Sequence, residues 1–154
     1  MNIFMAEAIE EARRGIDLKE GGPFGAVVVR GGEIIARGHN RVVVSKDPTA
    51  HAEIVAIRNA SVFLNSFDLS DCILYTTCEP CPMCYGAIHW ARIPQVFYGA
   101  TRQDAAKIGF DDNLLYEFLS GRITDTDLSL NQVSRDDCLV VFYEYEKDEE
   151  RVPY

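Results

Sequence analysis

The sequence predicts an α/β fold built on one five-stranded mixed sheet with helices on both faces. Two observations predict it. After an opening amphipathic helix the elements read β-β-α-β-α-β, and no repeat, low-complexity tract or linker interrupts them, so residues 1–154 read as a single domain.

Met5, Ala8, Ile9, Ala12 and Ile16 recur at helical spacing, and Gly15 with Gly21-Gly22-Pro23 ends that helix in a loop. Residues 26–29, the pair Gly31-Gly32 and residues 34–37 then read as a β-hairpin. Residues 50–63, with Ile54, Ile57 and Val62 among alanines, form a helix after the turn Asp47-Pro48-Thr49, which puts His51 in its first turn. Residues 72–76 have the β-branched and aromatic content of a buried strand. That strand runs through residues 77–80 into a helix over 81–91, with Cys81 and Cys84 on one face of its N-terminal end. Residues 95–99 make a fourth strand. Residues 128–133 are taken as the fifth. Beyond them, residues 138–145 form an apolar and aromatic run that propensity alone would make a strand. Ser134 with Asp136 and Asp137, however, reads as a capped helix start, so a helix is expected from 136 to about 150.

Composition narrows the partners. Hydrophobic residues are 47% and charged residues 25%, ordinary for a globular domain. Lys plus Arg is 15 against 24 Asp plus Glu, a formal net charge of −9, and no basic cluster is dense enough to follow a phosphate backbone, so nucleic acid is not an expected partner. The N-terminal stretch carries Glu7, Glu10 and Glu11 within its apolar pattern and lacks the basic start and unbroken apolar run of an export signal. No window approaches the roughly 20 apolar residues that span a bilayer. The expected location is the cytoplasm, away from membranes. In that reducing compartment the crowding of Cys78, Cys81 and Cys84 reads as metal chemistry before disulfides.

Two short pieces carry chemistry: His51-Ala52-Glu53 and Pro80-Cys81-Pro82-Met83-Cys84. A catalytic zinc takes three protein ligands and leaves a fourth position for water, and His51, Cys81 and Cys84 supply that number, for one Zn2+ per chain. Both pieces begin helices, where unpaired N–H groups favour thiolate over thiol. Glu53 projects from the same turn as His51 without needing to touch the metal, as a proton-moving group must. A lone C-x-x-C would serve structural zinc or redox pairs equally; the H-x-E upstream of P-C-x-x-C is the recognised signature of zinc nucleobase deaminases.

With Gly22-Pro23-Phe24-Gly25-Ala26, Thr77-Cys78-Glu79 and Gly86-Ala87-Ile88 added, the chain resembles the cytidine deaminase superfamily. Within that superfamily it is most similar to the bacterial guanine-deaminating branch, through Ser45-Lys46-Asp47-Pro48-Thr49, Trp90-Ala91-Arg92, Gly109-Phe110-Asp111-Asp112 and the terminal Tyr154. The resemblance implies a three-layer α/β/α fold and hydrolysis of a purine base, guanine to xanthine and ammonia. It also implies a homodimer whose segment 135–154 is exchanged between subunits. It assigns Phe24 to stacking, Asn40 and Asp112 to the polar edges of the base, Ala52 and Trp90 to the pocket, and Tyr154 to its closure.

Taken by themselves several of these residues have plainer readings. Phe24 and Trp90 fit the apolar core, Asn40 fits a turn, Asp112 fits a helix cap before Asn113, and Glu79 fits a cap of the zinc helix or a second proton carrier. Cys78, Cys72 and Cys138 fit ordinary packing, as do His39 and His89. The rival functions are tRNA adenosine deamination, deamination of cytosine or guanosine, and a non-catalytic zinc-stabilised module. The acidic balance opposes the first; the last would need Cys78 as a fourth ligand and would leave Glu53 idle.

Overall fold

A computed structural model describes residues 2–124 and 128–152. The described chain divides into two compact units, 1–116 and 117–154.

In the first unit, helix α1 (Ile3–Asp17) is capped by Asn2, whose side chain accepts from the N–H groups of Phe4 and Met5. Strands β1 (Gly25–Arg30) and β2 (Glu33–His39) form the expected hairpin. Its turn needs two positive φ angles, which Gly31 (59°) and Gly32 (85°) supply without steric cost. The short helix α2 (Val42–Ser45) follows, then α3 (Ala52–Leu64), β3 (Cys72–Cys78), α4 (Pro82–Trp90), β4 (Gln95–Ala100) and α5 (Arg102–Lys107). Thr101 and Asp104 build a reciprocal capping box at the start of α5. Helix α6 (Asn113–Leu119) runs to the second unit, which contains α7 (Arg135–Lys147).

The sheet is mixed, in the order β2-β1-β3-β4, with β1 antiparallel to both neighbours and β3 parallel to β4. One face packs α1 against Val27, Val29 and Tyr75, and the other buries Ala52, Ala56 and Ala60 of α3 and Ile88 of α4 against Ala26, Val28 and Leu74. Helix, sheet and helix therefore form three layers. The small α3 residues let that helix lie close on the sheet, which brings its first turn to the end of β3.

The expected fifth strand is a correction. Among the described residues the sheet has four strands, and 128–133 adopt no strand. Leu128 and Leu130 alternate with Ser129 and Asn131, but alternation makes a strand only where a neighbouring strand completes its backbone bonds, and the four described strands do not extend to this segment. The helix expected after Ser134 is present as α7. Ser134 is its N-cap in a left-handed conformation (φ 50°) without a side-chain cap bond, and Asp136 and Asp137 occupy the first turn.

Candidate active site

His51 and Cys81 occupy equivalent places: each is the N-cap of a helix, His51 of α3 (φ −67°, ψ 159°) and Cys81 of α4 (φ −66°, ψ 166°). His51 thus sits one residue outside the helix and not within its first turn, because the extended N-cap conformation aims the side chain across the helix start. Pro82 opens α4, where its missing N–H costs nothing. Cys84, wholly buried, lies one turn further along.

The two helix starts bring three donor atoms together. His51 Nδ1 is 3.6 Å from Cys81 Sγ and 3.5 Å from Cys84 Sγ. All three lie within 4.8 Å of one another. Tetrahedral zinc with ordinary Zn–S and Zn–N bond lengths separates its sulfur and nitrogen ligands by about 3.6 Å, so the donor set fits the ion. Charge agrees with geometry. Cys84 donates to Cys81 and holds its thiol pKa down at about 4, while the same contact pushes Cys84 up. One proton shared between two sulfurs is what a bound dication displaces. His51 is raised by its hydrogen bond with Cys81. Cys78 stands apart from this set: its sulfur lies 3.7 Å from the Thr101 carbonyl, and burial raises its pKa to about 11.

Glu53, 6% exposed, sits in the first turn of α3. Its Oε1 accepts from the Thr76 hydroxyl at 3.2 Å and its Oε2 from Cys84 Sγ at 3.5 Å. Burial raises its pKa, which favours a carboxyl able to hold and release a proton.

These groups open on a cavity of about 600 Å³, a volume suited to a small heterocycle. Phe24, Asn40, His51, Glu53, Cys81 and Asp112 all line it. Phe24 meets Phe110 edge-on, with ring centroids 4.9 Å apart and planes at 86°. Asn40 is 5% exposed, and its Oδ1 accepts from the N–H groups of Gly22 and Val42, both at 3.2 Å. Turning the amide over would set NH2 against two N–H donors, so Nδ2 is the group left for a ligand. Gly21 permits this arrangement, since a Cβ there would stand 2.1 Å from Asn40 Oδ1. Burial raises the pKa of Asp112.

Two other expected contacts are not among the residues that line the cavity. Ala52 is wholly buried in the core beneath α3 and is not part of the cavity lining. Trp90 is also outside the lining: it ends α4, two-thirds exposed. Tyr154 falls outside the described residues. Glu79 caps neither α4 nor the metal donors; its Oε2 accepts from the Arg102 N–H at the start of α5. Phe110, Val43, Pro48 and Arg102 also line the cavity, a role the sequence does not assign to any of them. The apolar Phe110 next to Asp111-Asp112 was the available signal for the first of them. His39 is a packed histidine, its two ring nitrogens facing Glu11 Oε2 (3.1 Å) and Glu20 Oε2 (2.7 Å).

Comparison with known proteins places this geometry. Residues 1–100 match the family model described as the cytidine and deoxycytidylate deaminase zinc-binding region. The chain is 50% identical over 131 residues to a guanine deaminase of Bacillus subtilis, covering 85% of this chain and 84% of that protein. An X-ray structure of guanine deaminase from Bacillus subtilis superposes with a TM-score of 0.93 at 46% identity, covering 100% of this chain and 99% of that one. A tRNA-specific adenosine deaminase of Streptococcus pyogenes is 45% identical over 117 residues, covering 76% of this chain and 70% of that protein.

Proposed function

The chain belongs to the cytidine and deoxycytidylate deaminase zinc-binding family, and from that premise we propose that it hydrolyses guanine to xanthine and ammonia with one zinc per chain. The observation that carries the substrate choice is the whole-length match, at TM-score 0.93, to a guanine deaminase. The net charge of −9 supports the same choice, because a flipped tRNA nucleotide needs basic groups around the pocket mouth.

In this reading His51, Cys81 and Cys84 hold the ion. Bound zinc lowers the pKa of its water to about 7 and supplies a Lewis acid beside the reacting carbon. Guanine lies against Phe24, with Phe110 edge-on to that ring. Asn40 Nδ2 donates to an acceptor edge of the base and Asp112 accepts from an N–H edge, so C2 faces Glu53. Glu53 takes a proton from the attacking water as the C2–O bond forms and delivers it to the ring nitrogen. Glu53 then takes the proton of the new C2 hydroxyl and passes it to the exocyclic amine, the C2–N bond breaks as the C2=O bond forms, and ammonia leaves.

We further propose that the whole chain acts as one deaminase domain and as a homodimer in the cytoplasm, with segment 135–154 exchanged and Tyr154 closing the pocket. Helix α7 supports an assembly, since Val140, Val141, Phe142 and Tyr143 are each more than half exposed. Trp90, also exposed, would serve such an assembly better than the pocket of its own chain. No helix among the described residues is long and apolar enough to cross a membrane. Zinc-loaded protein incubated separately with guanine, guanosine, cytosine, adenine and tRNA tests the function. Ammonia released from guanine at the highest kcat/KM is the expected result, and inosine formed in tRNA with guanine untouched would transfer the assignment.

A further inference from the structure

We propose that Thr76 is a positioning residue for this reaction: its hydroxyl fixes the rotation of the Glu53 carboxylate and turns Oε2 toward the reacting groups. The inference rests on Glu53 as the proton carrier.

Thr76 lies on β3 between Ala26 of β1 and Tyr98 of β4, hydrogen-bonded strands on either side. It is 1% exposed. Alternation along β3 sets it on one face with Cys72 and Leu74, both part of the apolar core beneath α3. A valine has the same shape and would fit that core. A hydroxyl there carries a desolvation cost unless it is bonded. Here it is bonded, donating from Oγ1 to Glu53 Oε1 at 3.2 Å.

The two carboxylate oxygens therefore have different neighbours. Oε1 is tied to the central sheet, and Oε2 lies 3.5 Å from Cys84 Sγ, on the side of the three-donor set. A thiol at Cys84 donates to Oε2; a metal-bound thiolate has no proton to donate, which leaves Oε2 open to a donor in the cavity. The Thr76 bond is indifferent to that change, because Oε1 accepts from a hydroxyl whether or not Oε2 carries a proton. Thr76 thus supplies a fixed reference for a group that must not rotate between accepting a proton and delivering it.

The test compares Thr76→Val, Thr76→Ala and Thr76→Ser in the zinc-loaded full chain. Loss of the hydroxyl in the Val and Ala variants should lower kcat for guanine about tenfold to a hundredfold, with KM within about twofold of wild type. Zinc content should stay at one per chain, and Thr76→Ser should recover most of kcat. The Glu53 carboxylate band, isolated as an infrared difference against Glu53→Gln, should shift in Thr76→Val and hold its place in Thr76→Ser, in zinc-free protein as well as loaded. Wild-type kcat in Thr76→Val, equal impairment of the Ser variant, or an unshifted band overturns the inference. Wild-type turnover by Glu53→Gln would instead remove the underlying reading of Glu53. An inactive Glu53→Gln beside a fully active Thr76→Val removes Thr76 alone.

Discussion

Strand β3 and helix α7 start from similar material and end differently. Cys72-Ile73-Leu74-Tyr75-Thr76-Thr77-Cys78 and Cys138-Leu139-Val140-Val141-Phe142-Tyr143 are both continuous apolar, aromatic and β-branched runs. The first is the inner spine of the sheet, paired on both sides and mostly buried. The second is a helix with no buried residue. What separates them is context: β3 has two strands to complete its hydrogen bonds, whereas α7 has Asp136 and Asp137 at its N-terminal end and Lys147 in its last turn, charges that suit a helix dipole. Chemistry gathers toward the end of the buried run, where Thr76 reaches Glu53, whereas the exposed run of α7 is the surface we propose for assembly.

A substitution in the three-donor set beside β3 should cost the most. Cys84→Ala removes one of three ligands, and zinc and guanine turnover should vanish together, read by metal analysis and xanthine absorbance. Retained activity would show that the three-donor set is not the catalytic centre. On the α7 side, Phe142→Glu places a charge in the exposed apolar run, so the proposed dimer should dissociate in sedimentation while each chain keeps its zinc. An unchanged mass would mean that α7 is not an assembly face.

Asp112→Asn should act more mildly than either, raising KM for guanine by roughly tenfold through loss of a charged acceptor. A change in kcat alone would move Asp112 from binding to chemistry. The smallest effect belongs to Asp68, whose pKa is held at about 2 by hydrogen bonds from Ser70 and then by Arg92. Its contribution to stability is full above the ordinary value of 3.8 and is lost as pH falls through about 2. Asp68→Asn should therefore lower Tm slightly at neutral pH and flatten the acid limb of the Tm profile between those values. An acid limb identical to wild type would contradict it.

The same contrast explains what could be read from the chain alone. The convergence of His51, Cys81 and Cys84 with Glu53 nearby is legible because helix starts and residue spacing are local properties, as Pro82 at the start of α4 and the alanines of α3 illustrate. The N-cap placement of His51 and Cys81 was not, since one residue of helix boundary depends on backbone conformation that no side chain announces. The expected fifth strand does not form because pairing is a tertiary fact: residues 128–131 alternate in polarity, yet the sheet of the described residues has four strands. The sequence carries Phe110 within Gly109-Phe110-Asp111-Asp112 but marks no role for it, because it lines the cavity from a loop after α5, where apolar character has no periodicity.

In the proposed division of labour three side chains hold the ion and Glu53, buried beside them, moves protons. Zinc content and guanine turnover measured together in Glu53→Gln test it most directly. The expected result is one zinc per chain with xanthine formation abolished; zinc lost in proportion to activity, or turnover maintained with zinc in place, would contradict it.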